Sequence, residues 1–196
     1  MATYYAIPCP QELRENFSLL IHNFENNSSQ PQNQLLIKVA NDYTDKIIEV
    51  KATAHTLIKQ VLHKMKNEEM SSLAGQIRAR KLMLGQNEYI SFPVTSPLAA
   101  AYRQCYEQIK QGDIQAREPL MRAMLEFSQL ANHYFYHESL KPLKLGFVTR
   151  KIADLGGVTI NKASQAAITK LVPQLDIQEL QAFVDYLEPF FIDVEV

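Results

Sequence analysis

Thr149-Arg150-Lys151-Ile152-Ala153-Asp154-Leu155-Gly156-Gly157-Val158-Thr159-Ile160-Asn161-Lys162-Ala163-Ser164-Gln165 is the stretch on which the reading of this chain turns. Its composition predicts a short helix over 149–155, a stop at Gly156-Gly157, and a second helix over 159–172 ended by Pro173. Gly at the end of a helix readily takes the left-handed conformation, and Thr is a good N-cap for the next one. Asp176 and Glu179 then form a capping box ahead of Leu180, Phe183, Val184 and Leu187, which predicts a third helix over 176–188.

Residues 149–171 resemble the helix-turn-helix of the lactose-repressor family of bacterial regulators, whose first helix and turn read Ile/Val-Ala-x-Leu-Ala-Gly-Val-Ser. The resemblance covers about 20 residues. It implies that Ala153 sits where two helices cross and that Gly157 makes the turn. Val158 would then plug the angle between the helices, and Thr159 would cap the recognition helix. Thr159, Asn161, Lys162, Ser164 and Gln165, with Arg150 and Lys151 beside them, would then meet phosphates and base edges in the major groove. One helix pair reads only a half-site, so a homodimer is implied. The competing reading of the same residues is two short helices joined by a Gly-Gly turn inside a bundle.

Charge gives this stretch a context. The whole chain has 196 residues, 20 Lys+Arg and 21 Asp+Glu, and a net charge of −1. The sum hides local fields. Residues 141–170 hold six cations against Asp154, for +5, and residues 51–81 hold seven cations against two acids, also +5. Residues 171–196 hold six acids and no Lys or Arg. Such basic segments suit a polyanion, or form solvated faces neutralised by the acidic tail. With 46% hydrophobic and 21% charged residues, the composition excludes disorder, and the length leaves room for one good core or two small ones.

Working towards the N-terminus, Lys141-Pro142 breaks the chain. It divides a helical bundle core, residues 1–140, from a C-terminal three-helix segment, residues 141–196. Ser96-Pro97 predicts a helix start, and residues 97–111 and 113–137 read as a helical hairpin around Gly112. Residues 89–93 read as extended. Ser71 or Ser72 begins a helix ended by Gly85. Between Gln32 and Ala74, Leu36, Ala40, Tyr43, Ile47, Val50, Ala54, Leu57 and Val61 form a heptad stripe, which predicts a long helix over 35–69. A β-hairpin over 34–53 is the alternative there. Gln11 to Glu25 is the first helix. The fold expected is mainly α, a bundle of seven to eight helices with at most one short β-hairpin.

Other chemistry is sparse. His133 and His137 lie four apart on a predicted helix, which is half of a Zn or Ni site, with His22, His55 or His63 as a third ligand. There is no phosphate-cradling Gly-rich loop, no G-x-S-x-G and no H-E-x-x-H. No cofactor is implied. Cys9 and Cys105 read as two ordinary thiols, and Cys105 lies in a stripe with Tyr102 and Ile109. No secretory signal and no run of about 18 apolar residues is present, so a cytoplasmic protein is expected. The function expected is non-enzymatic binding or regulation, with DNA met through residues 149–171. A helical protein–protein interaction module is the alternative, and a metal-binding bundle enzyme using His133 and His137 is the third reading.

Overall fold

The computed structural model describes residues 1–25, 35, 38, 81–141 and 146–195. The expected bundle of seven to eight helices, mainly α, is overturned by a four-stranded antiparallel sheet. Its strands are β1 (Ala2–Pro8), β2 (Lys81–Leu84), β3 (Asn87–Val94) and β4 (Phe191–Val194), ordered β2-β3-β1-β4. Five longer helices are described: α1 (Gln11–Glu25), α2 (Ser96–Lys110), α3 (Arg117–Asn132), α4 (Phe147–Leu171) and α5 (Ile177–Leu187). The heptad stripe and the alternative hairpin over 34–53 fall largely outside the described residues.

The strands have local causes. Thr3, Tyr4, Tyr5 and Ile7 are β-branched or aromatic, as are Phe191, Ile192 and Val194, and such side chains fit a pleated surface. β1 and β4 pair antiparallel in the register Ala2↔Val194 to Tyr5↔Phe191. β2 and β3 form a hairpin with Leu84 opposite Asn87, which leaves Gly85-Gln86 as a two-residue loop. Gly85 has φ 62, a value that favours glycine, as tight hairpin turns require. Gly85 therefore joins two strands and does not stop a helix from Ser71.

The contacts divide the chain into two compact units, each built from several stretches. The first holds residues 1–7, 91–134 and 161–196. Here α2 packs on α3 and on α5. The buried side chains include Leu98, Tyr102, Ile109, Leu120, Leu180 and Val184. Tyr5 and Phe127 meet edge to face at 4.7 Å, and Tyr102 lies 4.8 Å from Phe191. Such aromatic pairs add about 1 kcal/mol each beyond area burial. α5 begins on the expected capping box, with Asp176 accepting from the Glu179 N–H and Glu179 accepting from the Asp176 N–H. The second unit holds residues 8–90 and 135–160. It buries Leu13, Phe17, Leu20, Ile90, Leu140, Ala153 and Ile160.

The largest departure from sequence expectation is α4. Phe147–Leu171 is one helix of 25 residues, and Gly156 and Gly157 are buried inside it. No turn separates residues 149–155 from 159–172, so the helix-turn-helix geometry is absent. Neither glycine has a positive φ. The cause is packing. A Cβ on Gly157 would stand 2.8 Å from His137 Cε1 and 2.9 Å from Tyr136 Cδ1. Real Cβ atoms do not approach that closely. Gly157 is therefore needed for the close approach of a neighbouring segment, and the helix runs straight past it.

Candidate functional site on the long helix

α4 has two sides of opposite character. At about 100° per residue, Gly156, Ile160, Ala153 and Gly157 share one sector of about 100°. All four are buried. Against this side lie Tyr136 and His137, the last two residues of a π-helical turn, His133–His137, that follows α3. The Tyr136 hydroxyl donates to the Ala153 carbonyl at 2.7 Å. Burial, with Asp154 adding repulsion, pushes the Tyr136 pKa up to about 12. Single π turns inside helices often mark functional segments, because the extra residue re-aims the side chains that follow. Here the re-aimed pair is Tyr136 and His137, and it fits the shallow side of α4 that glycine leaves open.

The other side of α4 faces solvent. Phe147, Val158, Lys151, Lys162 and Leu155 share a sector of about 80°. Phe147 is 74% exposed, Leu155 66% and Val158 48%. Val158 therefore does not plug an angle between two helices. Lys151 Nζ lies 4.7 Å above the Phe147 ring, a cation–π contact. Among the described residues, Lys151, Lys162 and Lys170 form no ion pair. Five of the six acids of residues 171–196 bond or face other groups. Asp193 bonds Arg103 at 2.7 Å and accepts from the Thr3 hydroxyl. Glu188 and Asp185 face Lys110, and Asp176 and Glu179 are held in their own cap.

The residues singled out from sequence do not form one recognition face. Lys151 and Lys162 are exposed, and Gln165 is half-buried. Thr159 is half-buried, and its hydroxyl donates to the Leu155 carbonyl at 2.8 Å, so it bonds back along the helix and caps nothing. Asn161 is half-buried, with Oδ1 buried and unpartnered. Ser164 is half-buried, in the same sector as Gly157 at about 100° per residue. Arg150 is half-buried, with Nη1 3.5 Å from the Leu140 carbonyl. On one continuous helix Arg150, Asn161, Gln165, Lys151 and Lys162 fall within an arc of about 120°, Thr159 and Ser164 lie outside it, and of the seven only Lys151 and Lys162 are exposed. Sequence reasoning missed Phe147 and Leu155. The signal was their spacing, a step of eight that returns to one side of a continuous helix.

His133 and His137 are both exposed, on the π turn. The His133 ring meets Tyr134 edge to face at 5.6 Å, and His137 packs on Gly157. Among the described residues no group of three or more His, Cys, Asp or Glu is placed to hold a metal ion. His55 and His63 lie outside the described residues. Cys9 is half-buried beside Glu88, and burial followed by Glu88 pushes its thiol up to about 11. Glu88 also holds Lys81 in an ion pair. Cys105 is buried in α2, and burial raises its thiol too. No described helix is long and apolar enough to cross a membrane. No family model matches this chain, and comparisons with curated proteins and with solved structures find no match.

Proposed function

We propose that this chain is a non-enzymatic binding protein and that the solvent-facing side of α4 is its contact surface. The supporting observation is the exposure of Phe147 and Leu155 on a helix whose opposite side is buried at Ala153, Gly156, Gly157 and Ile160. Single exposed apolar residues are common on any surface, but large ones aligned along one helix face mark an interaction site. A photo-crosslinking residue at position 155, compared with one at exposed Arg122, tests this in the cell of origin. A discrete adduct from position 155 alone is expected. Equal yields from the two positions would overturn the reading.

A nucleic-acid reading has its own support in the uncompensated charges of Lys151, Lys162 and Lys170. The contact would then be a single helix against the phosphate backbone, with weak sequence preference. A mobility shift of a random duplex that weakens with salt, and weakens again in Lys162→Ala and Gln165→Ala, is the expected result. An unchanged shift in both variants removes this reading.

A further inference from the structure

Building on the binding reading above, we infer that the face of α4 takes an acidic, amphipathic helix of another protein. Lys151, Leu155, Val158 and Lys162 follow one another at steps of 4, 3 and 4 along one helix, the spacing that two packed helices use at their shared seam. The span from Phe147 to Lys162 is about 23 Å, four turns, which matches the length of helical recognition segments. The seam has an apolar centre, Leu155 and Val158, with Phe147 beyond Lys151 at one end. A lysine closes it on each side.

The flanking charges select the occupant. Lys151 and Lys162 have no ion pair among the described residues, and Asp154 is the one acid in α4. A second copy of the chain is a poor match. An antiparallel self-pairing centred between Leu155 and Val158 sets Lys151 opposite Lys162, and a parallel one sets each lysine opposite itself. Like charges juxtaposed at an interface are unfavourable. Nucleic acid is a poor match as well, because a phosphate backbone offers nothing to Phe147 and Leu155. A partner helix with apolar residues along its seam and Asp or Glu at the flanks satisfies both features at once. Each lysine would then gain an opposite charge at the rim, and the apolar centre would leave water.

The experiment uses the full chain and two fluorescein-labelled peptides of three heptads. Both carry Leu at the seam positions. One has Glu and the other Lys at the flanking positions. Anisotropy should show saturable binding of the Glu peptide, weakened by salt, and no binding of the Lys peptide. Leu155→Ala should weaken binding about fivefold or more, as for a central apolar contact. The double variant Lys151→Glu, Lys162→Glu should exchange the preference for the Lys peptide. All these positions are exposed, so an unchanged melting temperature checks that each variant folds. Equal binding of both peptides, or binding of neither, overturns the inference. Suppose Leu155→Glu instead abolishes self-association in light scattering, or duplex binding, while the Glu peptide is silent. The face is then functional, and only the acidic-helix inference fails. If Leu155→Glu changes no binding of any kind, the binding face itself is wrong.

Discussion

The Tyr136 hydroxyl donates to the Ala153 carbonyl at 2.7 Å, joining the π-helical turn to the packed side of α4. The bond gives a buried phenol its partner and fixes how the aromatic ring lies over the helix backbone. Because the ring is held there, position 157 has no room for a side chain. The orientation of the exposed face of α4 depends on this hidden one.

Tyr136→Phe should therefore lower stability by about 1 kcal/mol at neutral pH, the usual net worth of one such bond. The alkaline limb carries a sharper signature. The folded-state pKa, about 12, lies above the ordinary tyrosine value of 10.0. A group with a raised folded pKa stabilises the fold fully below its unfolded pKa and loses that contribution as pH rises through the folded value. Denaturant melts between pH 9 and 12 should show the wild type losing more stability than Tyr136→Phe, and the two curves converging. Parallel curves would mean that Tyr136 ionises freely in the folded protein.

Gly157→Ala should destabilise by about 1–3 kcal/mol, the range for overpacking, although alanine is the better helix former. A left-handed turn at this position would also penalise alanine, so a double mutant separates the causes. The added methyl would meet the His137 ring first, at 2.8 Å. In a His137→Ala background the penalty should shrink. If the penalty is the same in both backgrounds, the His137 ring is not its cause.

Tyr106 should behave in the opposite sense. Its hydroxyl is buried without a hydrogen-bond partner, and burial drives its pKa up. An unsatisfied buried polar group costs about 1–3 kcal/mol. Tyr106→Phe keeps the ring that meets Tyr102 edge to face at 5.5 Å and removes only the orphan oxygen. The variant should melt higher by about 2–4 °C for each kcal/mol gained in a chain of this size. A lower melting temperature would show that the hydroxyl has a partner in solution.

The two thiols should be sluggish in the native state. Cys9, with its thiol pushed up to about 11 from an ordinary 9.0, carries about 100-fold less thiolate at pH 8. Cys105 is buried and its pKa is also raised. Iodoacetamide should modify both far more slowly in the native protein than in urea. Rapid native labelling of Cys9 would contradict its burial against Glu88.

Elements with a strong local signal were legible in the sequence. Gln11–Glu25 is helical as its apolar spacing predicts, Ser96-Pro97 opens α2, and the Asp176–Glu179 box caps α5. Residues 89–93 read as extended and lie within β3, but the short strands were not legible, because β2 and β4 have four residues each, too few for period-two alternation to stand out. β1 was missed despite its β-branched and aromatic residues, and its pairing with β4 joins opposite ends of the sequence. Gly156-Gly157 misled for a different reason. Glycine marks either a conformation closed to other residues or a place where another segment comes too close for a side chain. One sequence cannot separate these, and here the second holds. The candidate face was half legible. Lys151 and Lys162 stood out by charge, but Phe147 and Leu155 needed a continuous helix to be seen as neighbours.

Thr3 and Asp193 share a hydrogen bond across 190 residues of chain. During synthesis, the edge of β1 that receives β4 has no partner until residues 191–194 leave the ribosome. The first unit can close only after translation of those residues, and the nascent chain carries an open strand edge until then. Such edges are templates for pairing with other chains. A product stopped at Leu187 would keep that edge permanently, and the cell should clear or aggregate it rather than tolerate it.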